Sequence, residues 1–269
     1  MSLTSRIRNR LHQKRVIQAA EKARASHRRT EYLLNEDSPF SLTEAFRNLK
    51  AAISVSVPRR NGGVAIMLTS GYPEDGKTTV AVNLALSFAI SDAKVIVVDA
   101  DIRKGRVAKY FRQKPVPGLS DYLSGQNSLE EIIHSAPENA NLSYITCGTH
   151  SPKPYELLES EEMRKLVKDL KKHYDYIVFD TPPVLLVSDA LALAPVVDGA
   201  ALVCRHQVSF VSDISRSINT LSFAKANVLG VIVNDYKALK SANYYDRNGY
   251  KKYYYRSSYS YTHTEEETE

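Results

Sequence analysis

The chain has 269 residues, a net charge of +6, 43% hydrophobic residues and two cysteines. That length suits one large α/β domain with tails and a well-buried core. Cys147 and Cys204 are too few for a disulfide framework or a zinc set, which predicts a reducing, cytoplasmic setting. The longest greasy run, residues 184–203, is broken by Asp189, Pro195 and Asp198, so no membrane-spanning helix is expected. No signal peptide is expected at the start of the chain either.

The charge is uneven. Residues 1–29 carry nine Lys or Arg against one acid, Glu21, which leaves the remainder slightly acidic. Within the N-terminal arm, residues 1–37, the stretch 1–35 has helical propensity but only sparse apolar points at Ile7, Leu11, Val16 and Ile17. Such an arm suits anionic lipid, nucleic acid or an acidic partner segment. The turn Asn35–Pro39 separates it from the body. Ser41 and Glu44 then form a capping-box pattern, predicting a helix over 42–56 whose buried stripe includes Ala45, Leu49, Ala52 and Ile53. Glu44, Arg47 and Lys50 recur every three residues and form one exposed row.

From Val64 onward the pattern is strand, loop, helix, repeated. Apolar, Val/Ile-rich runs predict strands at 64–69, 94–99, 142–147, 175–180, 199–204 and 228–233, each covered on both faces. Helices are expected at 77–91, 160–173, 185–194 and 211–226. This alternation predicts an α/β, doubly wound, mostly parallel sheet over residues 38–240, with ligands at the carboxyl ends of the strands.

The chemistry begins at Gly71-Tyr72-Pro73-Glu74-Asp75-Gly76-Lys77-Thr78-Thr79. A strand precedes this run and a helix follows it, the context in which G-x-x-x-x-G-K-[ST] cradles nucleotide phosphates. Gly71 and Gly76 let the backbone amides, with those of Asp75 and Thr79, converge on an anion. Lys77, expected to face solvent until phosphate arrives, supplies charge to the outer phosphates, and the Thr78 hydroxyl is placed for Mg²⁺. Two predicted strands end in acids: Asp99-Ala100-Asp101-Ile102-Arg103 and Asp180-Thr181-Pro182-Pro183. A carboxylate at such an end can hold Mg²⁺ directly or through water. Arg103 is expected to neutralise the acid pair or to contact phosphate.

Residues 241–269 contain Tyr244, Tyr245, Tyr250, Tyr253, Tyr254, Tyr255, Tyr259 and Tyr261 and no Val, Ile, Leu, Phe or Met. A segment so poor in aliphatic residues cannot bury enough surface to order itself, which predicts a flexible tail displaying its tyrosines.

Taken together, the phosphate loop, the Asp99–Arg103 and Tyr176–Pro183 stations and the tyrosine cluster resemble the bacterial tyrosine kinases of capsule and exopolysaccharide assembly. These are deviant P-loop ATPases, a group that includes the MinD and ParA types. Glu44-x-x-Arg47-x-x-Lys50 resembles the family's E-x-x-R-x-x-R oligomerisation motif, with Lys50 in place of the last Arg. Lysine lacks the bidentate contact of arginine, which implies a weaker or differently arranged homo-oligomer. The segment Pro152–Leu158 also resembles the loop that precedes the next helix in the family.

The resemblance implies ATP and Mg²⁺ as cofactors, with Lys77 on the β- and γ-phosphates and Thr78, Asp101 and Asp180 on the metal. It makes Asp99 the candidate to orient or deprotonate the attacking hydroxyl, with Asp101 the alternative. Asn234 is implied to read the adenine edge, and the eight tail tyrosines to be autophosphorylation sites. The chain is similar to the split form, in which a separate membrane-anchored polysaccharide co-polymerase activates a cytoplasmic kinase peripheral at the inner face of the membrane. The basic arm would suit an anionic membrane surface there, and no nucleic-acid partner is expected. A MinD- or ParA-type switch is the rival, but such proteins typically carry lysine where this chain has Tyr72.

Overall fold

The computed structural model describes residues 33–35, 37–59 and 62–236. The unit described here ends at Asp235. Most of the basic arm and the whole tyrosine cluster lie outside the described residues.

Seven strands form one sheet: β1 (Val64–Ser70), β2 (Val95–Asp99), β3 (Ile133–Ser135), β4 (Leu142–Ile145), β5 (Tyr176–Asp180), β6 (Gly199–Arg205) and β7 (Val228–Asn234). Their order is β3-β4-β2-β5-β1-β6-β7, and every pair is parallel except β3–β4. The six predicted strands are present within two residues at each end, but β7, at the sheet edge, is not covered on both faces: Val231 and Val233 are exposed. The antiparallel edge strand β3 was not expected, because three residues are too few to show a period.

The continuous apolar runs follow from the pleat. In β1, Ile66 and Leu68 join one core while Ala65 and Met67 join the other. Neither face is left to water. The first core is closed by α1 (Phe40–Ser56) and α2 (Lys77–Ala89). Short helices α3 (Val107–Tyr110), α4 (Leu119–Leu123) and α5 (Leu129–Ile132) follow β2, and α6 (Pro154–Glu159) precedes α7 (Glu161–His173). After β5 come α8 (Asp189–Ala192) and, beyond β6, α9 (Val211–Phe223).

Helix α7 shows how the second core is built. Met163, Leu166, Val167 and Leu170 recur at helical spacing and are buried, each contributing about 1.5–3 kcal/mol by transfer from water. Ser160 caps its start by accepting from the Met163 amide (3.2 Å). Glu161 and Glu162 sit in the first turn and Lys171, Lys172 and His173 in the last, matching the helix dipole.

Four expectations are corrected. Helix α1 starts at Phe40 with Pro39 as its N-cap, and no side chain caps it. The fixed φ of proline suits a helix entrance, so Ser41 falls inside the first turn and Glu44 pairs with Arg47 (2.6 Å) instead. The buried stripe of α1 is Phe46 and Ile53, with Leu42 and Leu49 packed beside them, while Ala45 and Ala52 are exposed. The larger side chains remove more surface from water and set the rotation of the helix. Leu33 and Leu34, grouped with the arm by composition, are buried in the first core, and the Leu34 amide donates to Asn83 Oδ1 (2.7 Å). The segment 185–194 is helical only at Asp189–Ala192, where the flanking residues form turns.

Candidate nucleotide-binding site

The phosphate loop leaves the carboxyl end of β1, beside the ends of β5 and β6. Gly76 caps α2 with φ +91°, and a Cβ there would lie 1.9 Å from Asn234 Nδ2. Only glycine fits both the left-handed backbone and the close approach. The loop is held from outside as well. Ser70 Oγ donates to the Tyr72 carbonyl (2.7 Å), and Asn234 Nδ2 donates to the Asp75 carbonyl (2.9 Å). Asp75 is buried and accepts from Ser209 Oγ (3.0 Å) and the Tyr72 amide (3.3 Å). Its side chain braces the loop.

Lys77 is not solvent-facing. It is buried, and its Nζ donates to Asp101 Oδ2 and Asp180 Oδ1, each at 3.2 Å. Thr78 Oγ1 donates to Asp180 Oδ2 (2.6 Å). The physical reason is direct: strands β2 and β5 end in carboxylates beside the loop, and the lysine is the cation available to them. Burial alone would lower the Lys77 pKa, but Asp180, then Asp101 and Asp99, outweigh it and hold the ammonium above its ordinary value.

The two acids of the first station have different surroundings. Asp101 lines the cleft together with Lys77, Thr78 and Thr79. Asp99 is fully buried behind it. Its Oδ2 accepts from the Val107 amide (2.9 Å) and its Oδ1 from the Asp101 amide (3.3 Å). Asp99 is pushed well above the usual carboxylate range by burial and then by Asp180, and the Val107 hydrogen bond and Lys77 offset only part of this. Asp180 is also raised by burial, against the pull of Lys77 and Thr78. Both Asp99 oxygens thus accept from backbone amides away from the cleft lining, while Asp101, whose oxygens accept from Lys77 and from the Lys104 amide, lines the cleft.

Arg103, expected near the acid pair or phosphate, is bound elsewhere. Its Nε donates to Asp189 Oδ2 (2.6 Å) and its Nη2 to Asp189 Oδ1 (3.0 Å). Such a fork against a buried carboxylate anchors the loop after β2 to α8. Asn234 sits on the phosphate loop, its amide nitrogen committed to Asp75. Glu44 and Arg47 pair within α1, and Lys50 Nζ donates to Ser91 Oγ, so the row is less free than its spacing implied.

Sequence reasoning missed several residues of the cleft. Tyr110 lines it, with its hydroxyl 2.6 Å from Thr79 Oγ1; nothing in the sequence around Tyr110 signals this. Lys104 and Arg106 also line it, and their place in a basic run directly after the acidic station was a usable signal.

The donor set fits a magnesium nucleotide. Thr78, Asp101 and Asp180 are hard oxygen ligands grouped around a lysine. Among the described residues no three His, Cys, Asp or Glu side chains form a self-sufficient metal site, so a divalent cation here would draw its other ligands from phosphate and water, as Mg²⁺ prefers.

A parallel α/β sheet with a glycine-bounded phosphate loop at its first strand and two acidic stations beside it defines a P-loop nucleoside-triphosphatase domain. A family model described as an AAA domain matches residues 70–212. The tyrosine-protein kinase YwqD of Bacillus subtilis (strain 168) is 36% identical over 203 residues, covering 75% of this chain and 84% of that protein. The tyrosine-protein kinase etk of Escherichia coli (strain K12) is 34% identical over 203 residues, covering 76% of this chain but only 28% of that protein. The solved BceF tyrosine kinase domain superimposes with a TM-score of 0.70 at 33% identity, over 81% of this chain and 87% of that one. The chain belongs to the family of bacterial tyrosine-protein kinases.

Proposed function

We propose that the chain is an ATP-dependent protein-tyrosine kinase that phosphorylates its own C-terminal tyrosines and through them regulates capsular or exopolysaccharide synthesis. The observation that carries this is the convergence of Lys77, Thr78, Asp101 and Asp180 at the strand ends. When bound, Mg-ATP supplies the phosphoryl group to be transferred. Lys77 and the loop amides bind its outer phosphates, and Thr78, Asp101 and Asp180 hold the metal. Asp101, at the cleft surface, orients the acceptor hydroxyl and receives its proton. Such chemistry is mostly positioning and charge stabilisation, so a tyrosine delivered in line suffices.

The acceptors are Tyr244, Tyr245, Tyr250, Tyr253, Tyr254, Tyr255, Tyr259 and Tyr261. A homo-oligomer with the Glu44–Lys50 row at its contacts would bring the tail of one copy to the site of another. No helix among the described residues is long and apolar enough to cross a membrane. A separate membrane-anchored activator, aided by the basic arm on anionic lipid, would place the kinase at the inner membrane face.

Intact mass after incubation with Mg-ATP tests this reading. Gains in phosphate steps, lost when residues 241–269 are removed, are expected. Nucleotide hydrolysis with no mass gain would favour a MinD- or ParA-type switch, against which stands the exposed Tyr72 at the usual lysine position.

A further inference from the structure

Lys104 and Arg106 line the same cleft as Lys77, yet neither takes part in a salt bridge among the described residues. Their segment is pinned rather than loose. The Lys104 amide donates to Asp101 Oδ1 (2.9 Å), the Val107 amide to Asp99 Oδ2 (2.9 Å), and Arg103 is clamped by Asp189. Two cations are thus held at the cleft on a fixed backbone. Of the carboxylates lining that cleft, Asp101 is already engaged by Lys77, which leaves Glu74 against the pair. The phosphate loop has its own cation in Lys77, so a second pair outside the loop calls for a second anion.

From this we infer that Lys104 and Arg106 form an acceptor subsite that selects tyrosines with anionic neighbours, and that the tail is therefore phosphorylated from its C-terminal end inward. The inference rests on the kinase reading above and specifies its acceptor. The sequence beyond the described residues supplies the matching charge. Tyr259 and Tyr261 are followed by Glu265, Glu266, Glu267 and Glu269, with no Lys or Arg between. Tyr253, Tyr254 and Tyr255 are flanked by Lys251, Lys252 and Arg256, and Asp246 beside Tyr245 is cancelled by Arg247.

An unmodified tail therefore offers the cationic subsite one attractive place to start. Each transfer moves a phosphoryl group from ATP to a tyrosine oxygen, releasing ADP and the phenolic proton. It replaces a neutral hydroxyl by about −1.5 to −2 charges. Phosphate on Tyr259 then serves as the anion that Tyr253–Tyr255 lack, and modification proceeds toward Tyr244.

Time-resolved site mapping by mass spectrometry on dephosphorylated full-length chain tests the order, and two peptide acceptors test the subsite. Tyr259 and Tyr261 should be occupied before Tyr253–Tyr255, and Tyr244 and Tyr245 last. A peptide of residues 257–269 should show a lower KM than one of residues 249–256. Replacing Lys104→Gln and Arg106→Gln together should raise the KM for the acidic peptide about five- to tenfold and scramble the order, with the KM for ATP unchanged. Lys104→Arg should preserve both. Occupancy beginning at Tyr244, or an unchanged peptide KM in the double variant, overturns the inference while leaving the kinase reading intact. A rise in the KM for ATP alone also overturns it, by giving the two cations to the nucleotide. No phosphate on tail or peptide overturns the kinase reading itself, and this inference with it.

Discussion

Asp99 and Asp180 stand on the same rung of neighbouring parallel strands, β2 and β5, and both are fully buried. Burial in the dry sheet raises the pKa of both carboxylates, and Asp180 raises that of Asp99 further. Lys77 lies against the second and against Asp101. The phosphate-loop lysine is therefore also the internal counter-ion of the nucleotide-free protein, and binding phosphate requires it to exchange partners.

Lys77→Met should accordingly do two things. Phosphoryl transfer should fall to background, and the nucleotide-free domain should lose about 3 kcal/mol, because removing one partner of a buried pair strands the other charges. For a domain of this size that is a melting temperature lower by roughly 6–12 °C. Adding Asp180→Asn should recover much of the melting temperature and none of the activity. Calorimetry with a parallel kinase assay checks both, and an unchanged melting temperature would deny Lys77 its structural role.

The unequal surroundings of Asp99 and Asp101 predict unequal losses. Asp101→Asn should lower kcat by about 10²–10³ and weaken Mg-nucleotide binding, since Asp101 lines the cleft. Asp99→Asn should keep nucleotide affinity and lose less than about tenfold in kcat. Titration calorimetry and steady-state kinetics on both variants measure the split; equal losses in kcat would return Asp99 to the reacting atoms.

Gly76→Ala should abolish tight nucleotide binding. The left-handed backbone costs alanine about 1–2 kcal/mol, and the new methyl would also meet Asn234 at 1.9 Å. Trimming the obstacle in Gly76→Ala/Asn234→Ala should relieve the clash but not the backbone cost, so affinity should recover only in part. Full recovery would show that the φ of +91° is dispensable.

Cys147 carries the pH signature that reads most clearly. Burial, then Asp99, pushes its thiol up to about 12. A thiol whose pKa is higher folded than unfolded contributes stability that is complete below its unfolded value and lost as pH rises toward the folded one. Stability should therefore decline between about pH 9 and 12, and Cys147→Ala should decline less over that window. Chemical denaturation at several pH values measures it. At pH 8 the native thiol should also resist alkylation that goes to completion in denaturant.

Tail phosphorylation should separate subunits. A first phosphate is matched by Lys104 and Arg106, but once most tyrosines are modified, at about −1.5 to −2 charges each, the summed charge exceeds that pair and opposes the approach of a tail to nucleotide phosphates and to Asp101. Light scattering on dephosphorylated and phosphorylated protein at equal concentration should give a larger mass for the first. Arg47→Ala, which removes the Glu44 pair, should lower that larger mass.

Much of this protein was determined locally. Continuous Val/Ile runs marked the strands, although β7 keeps Val231 and Val233 exposed, and glycines bounding a lysine and threonine between a strand and a helix marked the loop that curls around an anion. Those features depend on period and backbone freedom, which neighbouring residues set by themselves. What only the tertiary structure decided were the pairings. Asp99 and Asp101 are two residues apart and look alike in sequence, yet the chain turns between them so that one is spent on the Val107 amide and the other lines the cleft. Arg103 finds Asp189, 86 residues away, and Lys77 finds Asp180, 103 away, while Lys104 and Arg106 enter no ion pair among the described residues. Charge partners are chosen by distance in space and by burial, and neither is written in the spacing of a sequence.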